Sequence, residues 1–167
     1  MKYFAVGYHG TSQSGADIIY SNGIDFKRRS EDVFLGKGFY LWRDSYQRAK
    51  TWHNSEVVLE IGINTEQENI LNFTTSENDN EKMILKIYFE HFEPKNIYFG
   101  EYIDFLIDNG VNIQMTTILD LTNKHILFPT QDPKKINDKT IFAYGDIQIC
   151  LKSSNCLTRE SKDLLCK

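Results

Sequence analysis

Short β-type runs stand near both ends of this chain, Tyr3 to Tyr8 and Ile147 to Leu151, and their placement limits the fold more than any other feature. A chain that opens and closes on strands, with helices spread unevenly between them, does not alternate as a regular α/β domain does. The first run leads through a His-Gly-Thr turn into a helix from about Ser14 to Ser21, closed by Asn22-Gly23 as glycine closes a C-cap. After a charged loop from Lys27 to Asp32, Phe34 to Trp42 reads as a glycine turn feeding an aromatic strand. Asp44 to Asn54 follows as a short helix, Val57 to Ile63 as a β-branched strand, Glu101 to Asn109 as a helix and Val111 to Leu119 as a strand. Two polar interruptions, Asn64 to Lys82 and Thr130 to Thr140, read as loops within one unit. Ser76 and Asp79 loosely match capping-box spacing, ahead of a helical apolar stripe through Met83, Leu85, Ile87, Tyr88, Phe89 and Phe92. About five or six short strands and four helices make an α+β domain with a mixed sheet the expected class.

Composition supports a globular reading. The 167 residues are one domain's worth, since domains run to roughly 100–200 residues, so residues 1–167 are expected to form a single domain. A hydrophobic fraction of 41% with 25% charged residues argues against wholesale disorder. Nineteen Lys plus Arg against 23 Asp plus Glu give a net charge of −4, a poor electrostatic footprint for coating nucleic acid, although a local basic groove stays open. No apolar run approaches the roughly 18–20 residues that span a bilayer, and the start lacks a signal-peptide pattern, so no membrane association is expected. Cys150, Cys156 and Cys166 have neither Cys-x-x-Cys spacing nor a nearby His pair, which points to free thiols in a reducing, cytoplasmic setting and to no metal.

Four short segments carry chemistry. His9, at a strand end beside Gly10, either caps a turn or reaches into a cleft whose backbone the glycine leaves open. Gly36-Lys37-Gly38-Phe39-Tyr40 either makes a hairpin with Tyr40 in the core or offers an aromatic face beside exposed backbone, a receptor for a flat carboxamide ring. The phosphate-loop pattern is absent despite Lys37. Ala49 and Trp52 share a helix face by their spacing, and His53 reads as a solvated helix end. In Asp146-Ile147-Gln148-Ile149-Cys150-Leu151, alternation puts Asp146, Gln148 and Cys150 on one face, either a solvated sheet surface or a polar site around Gln148.

Their order joins them: Tyr-His-Gly-Thr, a helix ending Asn-Gly-Ile, Leu-Gly-Lys-Gly-Phe-Tyr-Leu-Trp, Ala-x-x-Trp, then a late Gln-Ile-x-Leu strand. This set resembles the ADP-ribosyltransferases of the diphtheria-toxin and poly(ADP-ribose) polymerase type, the His-Tyr-Glu branch, and among them small bacterial and phage-associated members. The resemblance covers Tyr8 to about Cys156. It implies split mixed β-sheets around an NAD cleft with short flanking helices. It implies a mono-ADP-ribosyltransferase that takes NAD as co-substrate, expels nicotinamide and transfers ADP-ribose to a protein or nucleic acid. By position, His9 would bond the adenosine-side ribose, Gly10 the nicotinamide amide through its backbone, and Thr11 would complete the signature. Gly38 and Tyr40 would shape and stack on the nicotinamide, with Trp52, in preference to the adjacent Thr51, as the second aromatic. Gln148 stands where the family often has its catalytic glutamate, so chain elongation is not expected, and Asp146 is a candidate source of the missing charge. An intracellular toxin, phage-defence protein or phage effector is the implied setting, with an antitoxin or inhibitor protein as a further partner. Two alternatives stand beside this: a degenerate module of the same fold that binds NAD, ADP-ribose or a protein, and a tRNA 2′-phosphotransferase. The latter is disfavoured by the acidic balance and because no Arg lies near His9.

Overall fold

The computed structural model describes residues 1–28, 35–73, 99–120 and 146–166. In chain order the described elements are β1 (Lys2–Thr11), α1 (Gln13–Asn22), β2 (Phe39–Arg43), α2 (Tyr46–Thr51), β3 (Val57–Glu66), β4 (Ile70–Asn72), α3 (Phe99–Asp108), β5 (Met115–Asp120), β6 (Asp146–Leu151) and α4 (Arg159–Leu165), with 3₁₀ turns at Trp52–Asn54, Gln67–Asn69 and Ser154–Cys156. The fold is α+β: one curled six-stranded mixed sheet, ordered β3-β1-β2-β6-β5-β4, with short helices on both faces. Among the described strands only β4 and β5 run parallel.

Two separate sheets were expected, and the described strands instead join in one. The join is slight at its centre. β1 pairs with β3 along ten positions, but with β2 only at Gly7–Arg43 and Tyr8–Trp42. The sheet is therefore two well-knit parts meeting at a narrow seam.

Strand alternation assigns the faces. On the first, Phe39, Leu41, Leu59, Ile61, Ile63, Met115, Ile149 and Leu151 pack with Ala16 and Ile19 of α1 and Leu165 of α4. Fully burying such an Ile or Leu contributes about 1.5–3 kcal/mol each. On the second face, Leu71, Ile118 and Cys150 pack under Tyr102, Ile103 and Leu106 of α3, with Leu35 and part of Tyr40. Gly10 of β1 meets the last turn of α2 on this face: a Cβ there would overlap the Ala49 carbonyl oxygen and Ser55 Oγ. Gly10→Ala is accordingly expected to destabilise the fold by about 3 kcal/mol through overpacking, read as a lowered urea midpoint with unchanged m-value.

Local signals explain most boundaries. Ser12 Oγ accepts the Gly15 amide and so starts α1, and Gly23, at φ 85°, ends it by donating to the Ile19 carbonyl. The helix expected from Asp44 to Asn54 is shorter, because Asp44, His53 and Asn54 all have positive φ. The interruption expected from Asn64 is corrected in its first part: residues 64–66 extend β3 and residues 70–72 form β4. Its remainder after residue 73, the capping box at Ser76, the stripe from Met83 to Phe92 and the loop from Thr130 to Thr140 lie outside the described residues. The strand expected from Val111 begins at Met115. A final helix, α4, is capped by Thr158 Oγ1, which accepts the Ser161 amide.

Candidate functional site

His9 stands on β1 one residue beyond the last β1–β2 pair, where the strands lose register. Its ring fills the seam: Nδ1 lies 2.8 Å from the Tyr40 carbonyl oxygen, and the ring packs against Phe39 at 4.3 Å between centroids. A carbonyl only accepts, so Nδ1 carries the proton and neutral His9 leaves the Nε2 lone pair as an acceptor. Burial pulls the His9 pKa below the ordinary 6.5, the Tyr40 bond opposes this, and the Arg28 charge lowers it further. An arginine therefore does act on His9. The sequence expectation that none lies near it is corrected, because the segment before the glycine turn folds back: the Arg28 carbonyl accepts the Gly38 amide at 3.1 Å.

The sign of the His9 shift makes a prediction. The unfolded chain binds this proton more readily than the folded one, so stability from His9 is full above pH 6.5 and is lost as pH falls from 6.5 towards the lowered folded value. Melting curves of wild type and His9→Gln should run parallel from pH 7 to 8, with the wild type losing more stability below 6.5. Parallel curves down to pH 5 would refute the shift.

Tyr40 presents its ring on the second face of β2, half-buried beside the α3 cluster. Its hydroxyl donates to the Gly36 carbonyl at 2.7 Å and accepts the Leu35 amide at 3.0 Å, so the loop before the strand aims the ring. Burial, first, drives the phenol pKa upward, and Tyr40 is a neutral aromatic surface. Gly36 has φ 80°, a conformation that favours glycine, and a Cβ there would strike Asp104. A Cβ on Gly38 would overlap Cys150 Sγ. Both motif glycines are thus required by packing.

Gln148 lies on β6 directly across from Trp42 on one side and Ile118 on the other. Tyr40 pairs with Cys150, so Tyr40 and Gln148 are diagonal neighbours on one face, a separation of roughly 7–8 Å for such positions. The structure thus sets Tyr40 and Gln148 together on the second face, whereas the His9 side chain, paired with Leu59 and packed on Phe39, lies on the first face and meets β2 at the Tyr40 backbone carbonyl. Gln148 is half-buried on a face covered by both α2 and α3, so its surroundings are only partly solvent.

Trp52 follows α2 and packs on Trp42 at 5.2 Å, with the Arg48 guanidinium 4.9 Å from the Trp42 centroid and 5.7 Å from that of Trp52. It shares the face of Tyr40 but stands in a Trp-Arg stack of its own. Thr51 spends its hydroxyl on the Gln47 and Arg48 carbonyls. Thr11, the last residue of β1, lies under the first turn of α1, where its Oγ1 leaves room for no Cβ on Gly15. Asp146 lies 3.6 Å from Arg48 Nε, so the nearest carboxylate along β6 from Gln148 is already paired with a cation. Among the described residues no three His, Cys, Asp or Glu side chains converge to hold a metal, and no helix is long and apolar enough to cross a membrane.

Two residues that hold the loop beside the candidate site escaped the sequence reading. Lys152 Nζ, with its side chain only 3% exposed, donates to the Leu35 and Lys37 carbonyls and sits 3.6 Å from Asp104. The Asp104 carboxylate in turn accepts the Lys37 amide at 2.9 and 3.0 Å. The one local signal was Gly100 and Asp104, four apart on α3 and so on one helix face, both of which meet Gly36.

Compared with known proteins, the chain matches no family model, no curated protein and no solved structure.

Proposed function

We propose that this chain is a cytoplasmic, NAD-dependent mono-ADP-ribosyltransferase with an ADP-ribosyltransferase-like fold, its NAD lying along the β1–β2 seam. The observation that carries the reading is the His9 ring held on the Tyr40 carbonyl at that seam, with Gln148 diagonal to Tyr40 on the neighbouring strand. The Tyr40 face stacks on nicotinamide, and His9 Nε2 accepts a ribose hydroxyl. Gln148 bonds the ribose of the scissile bond through its amide. The nicotinamide–ribose C–N bond breaks with its electron pair leaving on nicotinamide, and an acceptor nucleophile bonds the ribose carbon and gives up its proton. An amide at residue 148 supplies geometry without the charge that would stabilise the cationic ribose, which fits a single transfer and not chain growth. The acceptor is a protein or nucleic acid, and the setting is that of a toxin, defence protein or phage effector whose activity an antitoxin or inhibitor protein restrains.

One observation favours a second reading. Arg48 Nε lies 3.6 Å from Asp146, an ion pair that makes that carboxylate a poorer substitute for glutamate and suits a module that binds NAD or ADP-ribose without turnover. Nicotinamide release from labelled NAD, with and without cell lysate, separates the two. Release that needs lysate and leaves label on macromolecules supports the transferase. Calorimetric NAD binding with no release over hours supports the module, and neither binding nor release defeats both. Arg28 beside His9 removes one argument against a tRNA 2′-phosphotransferase, and label transferred only from a 2′-phosphorylated RNA would select that activity.

A further inference from the structure

The loop Leu35–Lys37 is bonded chiefly by side chains. The Leu35 amide goes to the Tyr40 hydroxyl, the Leu35 carbonyl to Lys152, the Gly36 carbonyl to the Tyr40 hydroxyl, the Lys37 amide to Asp104 and the Lys37 carbonyl to Lys152. The Cys150 thiol lies 3.7 Å from the Lys37 carbonyl and 3.9 Å from that of Gly36, within weak hydrogen-bonding range. Lys152 and Asp104 reach this loop from different elements, the end of β6 and the middle of α3, and form an ion pair there.

Burying such a pair is poor value for stability, since desolvation offsets most of the Coulomb gain; its best-attested use is to select one arrangement among several. The arrangement selected here is that of the loop, and the loop's bonds to the phenol fix the direction of the Tyr40 ring. We infer that Lys152 and Asp104 are positioning residues for the Tyr40 face, acting through the Leu35–Lys37 loop, and so set affinity for the flat carboxamide ring that this face receives. The inference rests on the proposed NAD reading for its ligand, but its geometry belongs to the loop alone. Neither residue touches the ligand. Each keeps the loop closed over the phenol, whose ring packs against the α3 cluster.

The test joins amide hydrogen exchange with NAD titration on the full chain. In Lys152→Met, exchange at the Leu35 amide, which bonds Tyr40 and not Lys152, should speed up about ten- to hundredfold, as loss of a charge-assisted bond implies. The Thr116 and Ile149 amides in the sheet should be unchanged. NAD affinity, or KM if turnover is seen, should weaken about tenfold with kcat nearly constant, and Lys152→Arg should restore much of both. Asp104→Asn, which keeps an acceptor for the Lys37 amide, should give a smaller effect than Asp104→Ala. Failure of the wild-type protein to bind NAD would overturn the ligand reading on which the inference rests. With NAD binding intact, an unchanged Leu35 exchange rate in Lys152→Met, or a uniform rise across the sheet, would overturn the inference itself by showing no role or a purely structural one.

Discussion

His9→Ala and Tyr40→Ala are each expected to abolish NAD-dependent labelling, a fall of at least about 10²–10³, while circular dichroism and the cooperativity of unfolding stay close to wild type. The two act through different contacts, since His9 meets the Tyr40 backbone carbonyl, which alanine at residue 40 keeps. Alanine at residue 9 removes the Nε2 acceptor and leaves the Tyr40 carbonyl without the ring that now meets it at the seam. Alanine at residue 40 removes the stacking face, worth about 1–3 kcal/mol for a base on an aromatic ring, and frees the Leu35–Gly36 loop from the phenol. Tyr40→Phe isolates these contributions: it keeps the ring, loses both hydroxyl bonds and should retain partial labelling with weakened NAD affinity. Because the β1–β2 ladder still closes at Gly7 and Tyr8, neither change cuts the sheet. Unchanged labelling in either alanine variant, measured both at saturating NAD and well below saturation, would remove that residue from the site.

How much of this was legible in the sequence follows from the range of each interaction. Caps and alternation act over a few residues, so Gly23 and the division of β6 between two faces were visible in the chain itself. β4 was hidden because its three residues sit inside a polar stretch and owe their strand state to pairing with β5. α4 was hidden because seven residues carry too little periodicity to stand out, although Thr158 offered a cap. The candidate site was proposed from residue types in order, through His9, Gly10, Tyr40 and Gln148. Its support was not, because Asp104 and Lys152 meet the loop across 67 and 117 residues of sequence. The motif glycines teach a related point: read as room for a ligand, Gly10 is occupied by the end of α2 and Gly38 by Cys150. A glycine in a motif marks close approach without saying by what. Asp146 shows the opposite limit, since its position on the Gln148 face was correct and its availability was not, Arg48 having claimed its charge.

Gln148→Glu should raise acceptor-independent nicotinamide release by at least about tenfold, with about 10²–10³ as the ceiling set by a 2–4 kcal/mol electrostatic contribution. Glutamate is nearly isosteric with glutamine, so the diagonal relation to Tyr40 and the neighbours Trp42 and Ile118 are kept while a full charge is added beside the developing cation. Arg48 opposes the gain. Its guanidinium lies over the Trp42 ring, directly across from residue 148, and it already holds Asp146, so the new carboxylate competes for the same cation. Pairing with Arg48 would cancel the charge at the ribose and would bring Gln148→Glu down from the ceiling. Arg48→Gln combined with Gln148→Glu should then release more nicotinamide than Gln148→Glu alone, a positive coupling read from the four-variant cycle. Gln148→Ala, which removes amide and charge together, should fall below wild type. A Gln148→Glu protein that folds, binds NAD and releases less nicotinamide than wild type would show that the amide N–H donates a bond the reaction needs, and the missing-charge account of this site would have to be given up.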